Sequence, residues 1–167
     1  AMLKICDSFD LVKLTEDFSK AVTQKLKDHK LFNETELDKL KNSEDIEAIK
    51  GFVDNHHAEG LYHMGELVGC VKRAHEVDNS LTAHIMFENL VVKASGVLAV
   101  KHLMKNSEVK SDEIEYVIEC SEEACGDMNQ RGGGNFAKSI AESCNFINAT
   151  GSDTRGFCAA PTHALIT

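Results

Sequence analysis

"GDMNQRGGGNFAKSIAESCNFINATGSD", residues 126–153, sets a polar loop with three glycines ahead of a helical pattern and a short apolar run after it. Phe136, Ile140 and Cys144 recur every four residues, the spacing of one helix face. The run from Phe146 to Asp153 then reads as a short strand. On the N-terminal side lies "EIEYVIEC", residues 113–120, with Ile114, Tyr116, Val117 and Ile118 after a Ser111-Asp112 turn, which predicts a buried strand. On the other side, "SDTRGFCAAPTHAL", residues 152–165, opens a further helix. Strand, glycine-rich loop, helix, strand, helix is the alternation of an α/β sheet with crossovers. Sites in such sheets lie beyond the carboxyl ends of the strands, here the residues that follow the second one.

Cys158 falls there. With the strand ending near Gly151 and the helix beginning near Gly156, the cysteine is expected in the first helical turn. Backbone N–H groups in that turn lack intrahelical partners and the macrodipole is positive, so a thiolate is favoured. An unperturbed cysteine has a pKa of about 8.5, and a helix N-terminus lowers it. The same N–H groups could hold the oxyanion that develops on an acyl thioester. Gly156, Ala159 and Ala160 are small enough for a substrate or a facing helix to come close, and Pro161 suits a first turn because its missing N–H would be unpaired there. Against this stands the common role of cysteine as a small buried hydrophobe.

Working towards the N-terminus, "IMFENLVVKASGVLAVKHLM", residues 85–104, is apolar around most of its circumference and predicts a largely buried helix. "GLYHMGELVGCVKRA", residues 60–74, has two short apolar runs around Met64-Gly65-Glu66 and predicts a hairpin. Leu11, Leu14, Phe18, Val22 and Leu26 keep a helical spacing over residues 11–26, with Thr15, Glu16 and Asp17 as its first turn. Two shorter helices are expected over Glu34–Leu40 and Ser43–His56, the latter with Ile46, Ile49 and Val53 on one face. The organisation predicted is a charged helical appendage over 1–58, a hairpin and connecting segment over 59–83, and a partial α/β half over 84–167.

A chain of 167 residues with formal net charge −9 supports one packed core, and no lysine and arginine stripe offers itself to phosphates, so nonspecific nucleic-acid binding is excluded. No apolar run of bilayer-spanning length is expected, and Ala1–Asp10 lacks the basic start and apolar core of a signal peptide, so the reading is a cytoplasmic protein without membrane contact. The six cysteines are spread through the chain and are expected as reduced thiols. Cys120 and Cys125 lack a second close pair, and His63, His75, His84 and His102 show no metal spacing, so no metal and no cofactor is expected.

The segment "SDTRGFCAAPTHALI" resembles the nucleophile elbow of the thiolase superfamily, in particular of β-ketoacyl-acyl-carrier-protein synthase III, whose members carry an aspartate five residues before the cysteine; Asp153, Cys158, Ala159 and Ala160 match. That similarity covers residues 84–167. "AEGLYHMGELVGCVKRAHE", "MFENLVVKASGVLAVKHL", "EEACGDMNQRGGGNFAKSIAE" and "NATGSDTRGFCA" together resemble the β subunits of component C of glycine reductase complexes, over most of the chain. The resemblance implies an α/β fold: the N-terminal half of a thiolase-like fold with a helical N-terminal appendage. It implies Cys158 as the catalytic cysteine, with Asp153 and Gly156 structural near the elbow. It also implies a multisubunit complex of amino-acid-fermenting anaerobes, in which a carboxymethyl group on a selenoprotein becomes an enzyme-bound acetyl thioester and leaves as acetyl phosphate. The partners implied are a phosphate acyltransferase-like α subunit and that selenoprotein. A carbon–carbon condensing enzyme, completed by a histidine and asparagine from a second half of the fold, and a non-catalytic docking subunit are the alternatives.

Other residues read two ways. Arg155, three before the cysteine, suits a thiolate or anionic substrate, or an ion pair with a carboxylate such as Asp153. Arg131 with Gly132, Gly133 and Gly134 at a helix start suits a phosphate or carboxylate cradle, or a loop closing over the sheet. His163 lies five residues past Cys158, a rotation of about 500° along a helix that leaves roughly 140° between them, so it is not expected to act as its base.

Overall fold

The computed structural model describes residues 1–121 and 136–166. They divide into two compact units, Ala1–Leu90 and Val91–Thr167.

The first unit is built on a three-stranded antiparallel sheet in the order β1-β3-β2. Its elements run α1 (Met2–Cys6), β1 (Val12–Leu14), α2 (Glu16–Leu26), α3 (Glu34–Leu40), α4 (Ile46–Asp54), β2 (Ala58–His63), β3 (Glu66–Lys72), then a short 3₁₀ turn and the start of α5 (Ala83–Lys105). The hairpin forms as expected: Met64 and Gly65 both take left-handed φ, the geometry that matches the twist of the flanking strands. Helix α3 keeps its expected bounds, and its N-terminus is closed by Asn33 and Glu36 in a reciprocal cap. The helix expected from Leu11 starts later. Val12 and Leu14 point inward from β1, which pairs with β3, and Thr15 is the extended residue before α2. The stretch read as an appendage thus lends a strand to the same sheet as the hairpin.

Neighbouring residues of a strand face opposite sides. Val71 of β3 packs in a cluster with Ile5, Val12, Leu14, Leu37 and Leu40, while Cys70 packs in a second cluster with Ile49 and Ala58. Both faces of the sheet are therefore covered.

The second unit takes the rest of α5 and then β4 (Tyr116–Ser121), α6 (Phe136–Ser143), β5 (Thr150–Arg155), a 3₁₀ turn (Phe157–Ala159) and α7 (Ala160–Ile166). β4 and β5 pair in parallel, from Tyr116 opposite Thr150 to Ser121 opposite Arg155. A parallel pair needs a crossover, and α6 lies in it and packs on both strands, which bears out the α/β alternation. Three expectations need correction. β4 is half-buried, with Tyr116 and Cys120 exposed. β5 begins at Thr150, and Phe146 and Ala149 instead fill the turn before it, packed with Ala141. Helix α5 buries only Ala83, Ile85, Ala94 and Val97 fully, and by length and composition it is apolar enough to cross a bilayer. Glu88, Lys93 and Lys101 interrupt that run in the sequence; the core helix of a globular fold meets the same test.

Candidate active site

β5 carries the chain to Arg155, beyond the end expected near Gly151. Its residues "TGSDTR" are mostly polar, and pairing with β4 along its whole length makes it a strand. Gly156 follows in an extended conformation and Phe157 turns left-handed, at φ 50. A non-glycine residue there costs roughly 1–3 kcal/mol and persists only where the surroundings impose it. The anchor is Ala160, wholly buried at the start of α7. Phe157 itself is 67% exposed, so its side chain does not drive the turn.

Cys158 therefore stands in the 3₁₀ turn ahead of α7, exposed, at the carboxyl end of a parallel strand. The expected geometry changes in one respect that matters for chemistry. The N–H of Ala159 donates to the Gly156 carbonyl at 3.0 Å, and the N–H of Ala160 donates to the Phe157 carbonyl. Both amides close the turn, because 3₁₀ geometry bonds each residue to the one three before it. They are not the vacant helix-start donors expected from the sequence. α7, at seven residues, is also a short source of dipole.

Beside the turn lies an ionic network that ties three elements together. Both carboxylate oxygens of Asp153 accept backbone N–H groups of α6, from Phe136 at 2.9 Å and Ala137 at 2.8 Å. Arg155 donates to Glu119 of β4 and reaches Asp153 at 3.3 Å, with its guanidinium 5.7 Å from the centre of the Phe136 ring. Glu119 and Asp153 are direct neighbours across the two strands, with side chains only 12% and 13% exposed. Arg155 thus joins two carboxylates that would otherwise repel at close range. Asp153 is structural near the elbow, as expected, and Arg155 takes the ion-pair role. Arg131, Gly132, Gly133 and Gly134, the other candidate anion-binding residues, lie outside the described residues. Of the helix they precede, the described amides of Phe136 and Ala137 are already filled by Asp153.

The part played by Glu119 has a signal in the sequence, a carboxylate inside an otherwise apolar strand, but its partner follows only from strand register. The left-handed Phe157 has none. Among the described cysteines the surroundings differ sharply: Cys6 and Cys70 are buried, Cys144 is half-buried, and Cys120 and Cys158 are exposed. Burial pushes the Cys70 thiol up to about 11, so it stays protonated and inert near neutrality. Among the described residues no cluster of histidine, cysteine and carboxylate side chains could hold a metal ion.

No family model matches the chain, and no solved structure matches it. Against curated proteins it is 52% identical over 166 residues, 99% of its length, to the glycine/sarcosine/betaine reductase complex component C subunit beta of Peptoclostridium acidaminophilum. The chain spans 32% of that protein, about a third of its length.

Proposed function

We propose that this chain is part of a component C β subunit of a glycine reductase complex and that Cys158 carries the acetyl group in a thiolase-type acyl transfer. The observation that carries this reading is the 52% identity over nearly the whole chain to such a subunit. Its support in the geometry is an exposed thiol at the carboxyl end of β5, on a turn held in a strained left-handed conformation.

A selenoprotein component presents a carboxymethyl group, which ends as an acetyl thioester on the Cys158 sulfur. An oxygen of inorganic phosphate, held by a phosphate acyltransferase-like α subunit, then attacks the thioester carbonyl. The carbon–sulfur bond breaks, acetyl phosphate leaves, and the thiolate is restored. With the Ala159 and Ala160 amides committed to the turn, the donors for the thioester oxyanion come from outside these two groups.

The test is Cys158→Ala in the assembled complex. Loss of acetyl phosphate formation by a factor of about a hundred or more is expected if the thiol is the nucleophile. A docking role is the second reading, favoured by the exposure of Phe157, Leu165 and Ile166 around the elbow. Full retention of acetyl phosphate formation by Cys158→Ala, with loss on Leu165→Asp, selects docking.

A further inference from the structure

We infer that His163 is a positioning residue for Cys158 and that residue 156 is glycine in order to admit its imidazole; this rests on the reading of Cys158 as the acyl-carrying thiol. A β-carbon placed on Gly156 would lie 3.3 Å from Nδ1 of His163 and 3.4 Å from the Ala160 nitrogen. The imidazole is therefore packed against the elbow itself. Gly156 has φ 177, extended backbone that any residue adopts, so conformation does not demand glycine there. Space does.

His163 reaches this position because helical side chains lean towards the N-terminus of their helix, back over the turn that precedes α7. The rotation that separates Cys158 from His163 on a continuous helix does not apply, since Cys158 belongs to the 3₁₀ turn and only His163 to α7. Cys158 is two residues from Gly156, so their Cα atoms lie within about 7 Å of each other. A protonated imidazole puts positive charge beside the thiol and favours its thiolate; a neutral one offers a ring nitrogen to the same neighbourhood.

α7 packs against β4, β5 and the 3₁₀ turn. The ionisable groups on those elements are Tyr116, Glu119 and Cys120, then Asp153 and Arg155, then Cys158. Glu119, Asp153 and Arg155 are joined in one network, which leaves the imidazole as the group of this set whose ordinary pKa is nearest neutrality.

The experiment measures iodoacetamide alkylation at Cys158 across pH in the full-length polypeptide in its complex, site by site by mass spectrometry, with exposed Cys120 as the internal reference. The wild-type rate at Cys158 is expected to keep a shoulder around pH 6 to 7, where the imidazole titrates. His163→Gln keeps side-chain bulk but cannot titrate: the shoulder disappears and the rate near pH 6 falls roughly tenfold, with Cys120 and the unfolding midpoint unchanged. Gly156→Ala displaces the ring and slows Cys158 to a lesser degree, but has little effect in a His163→Ala background, so the pair is non-additive. An unaltered profile in His163→Gln, equal slowing of Cys158 and Cys120, or additive effects would overturn the inference while leaving a fast Cys158 intact. A wild-type Cys158 no faster than Cys120 at every pH would overturn both this inference and the acyl-thiol reading.

Discussion

The two compact units fill their interiors with different side chains. In the first, the fully buried positions are large: Val12, Leu14, Leu40, Ile49 and Val71. In the second, alanines at 94, 137, 141, 149 and 160 make up about half of the buried apolar set, beside Val97, Phe136, Ile140 and Phe146. Large side chains hold a sheet and its helices apart at full packing distance and gain stability by removing apolar surface from water. Small ones let backbones approach: a β-carbon on Gly151 of β5 would come within 2.7 Å of the Val117 carbonyl and 3.0 Å of the Ala137 methyl. The first unit is thus stabilised mainly by apolar volume. The second depends on close backbone contact and on the Glu119, Arg155 and Asp153 network, and it carries the cysteine turn.

That contrast has consequences that can break it. The largest effect belongs to the first unit. Leu40→Ala removes a side chain that no solvent reaches and is expected to cost about 2–5 kcal/mol by urea unfolding. The inert Cys70 thiol, on the same sheet, reports it locally by becoming alkylated at lower urea. A loss below about 1 kcal/mol would mean that apolar volume is not what sustains this unit.

In the second unit the equivalent lesion adds atoms. Gly151→Val is expected to cost about 1–3 kcal/mol, because the new side chain meets the backbone carbonyl of Val117, which cannot swing aside as a flexible side chain does. The same change in stability from an alanine-to-glycine substitution at Ala137 would argue that volume, not approach, governs here. Asp153→Ala comes next, at about 1–2 kcal/mol for the lost cap. Its signature is faster hydrogen exchange at the Phe136 and Ala137 amides, with slower exchange elsewhere in α6 left in place. Unchanged exchange at those two amides would show that Asp153 does not hold the helix start.

Much of this arrangement is legible in the residues, and the exceptions share a cause. The hairpin at Met64-Gly65 and the helix over Glu34–Leu40 carry their own local signals, a left-handed turn pair and an Asn-to-Glu cap, and both form where expected. The order strand, helix, strand around α6 follows from periodicity. β1 escapes notice because Leu11 and Leu14 satisfy helical spacing, while the alternation of Val12 and Leu14 gains meaning only once β3 lies alongside. β5 escapes its true bounds because "TGSDTR" has little intrinsic strand preference and is held by register with β4 and by the Arg155 bond to Glu119. The candidate cysteine is visible by its small neighbours, yet its turn type is not, since a left-handed Phe157 is imposed by packing at Ala160. Non-local contacts decide each of these cases.

The smallest effect tests whether the first unit also relies on charge. Asp10, in a left-handed conformation after α1, takes Lys13 on one carboxylate oxygen and the buried Lys4, 2.6 Å away, on the other. The hydrogen bond from Lys13, then that from Lys4, holds its carboxyl below the ordinary range. A carboxyl whose folded pKa is lowered stabilises the fold above its unfolded pKa of about 3.9, and that contribution is lost as pH falls through the lower folded value. Asp10→Asn should therefore lower the unfolding temperature by a constant small amount above about pH 5, with the gap from wild type closing below about pH 4. The Asp10 side chain is 53% exposed, so solvent screening keeps the gap small and added salt shrinks it further. Lys4 retains the Val12 carbonyl at 2.9 Å in the variant, which limits the loss to the charge on Asp10. A gap that persists undiminished to about pH 2 would assign the effect to the asparagine's fit in the turn and leave apolar volume as the first unit's main support.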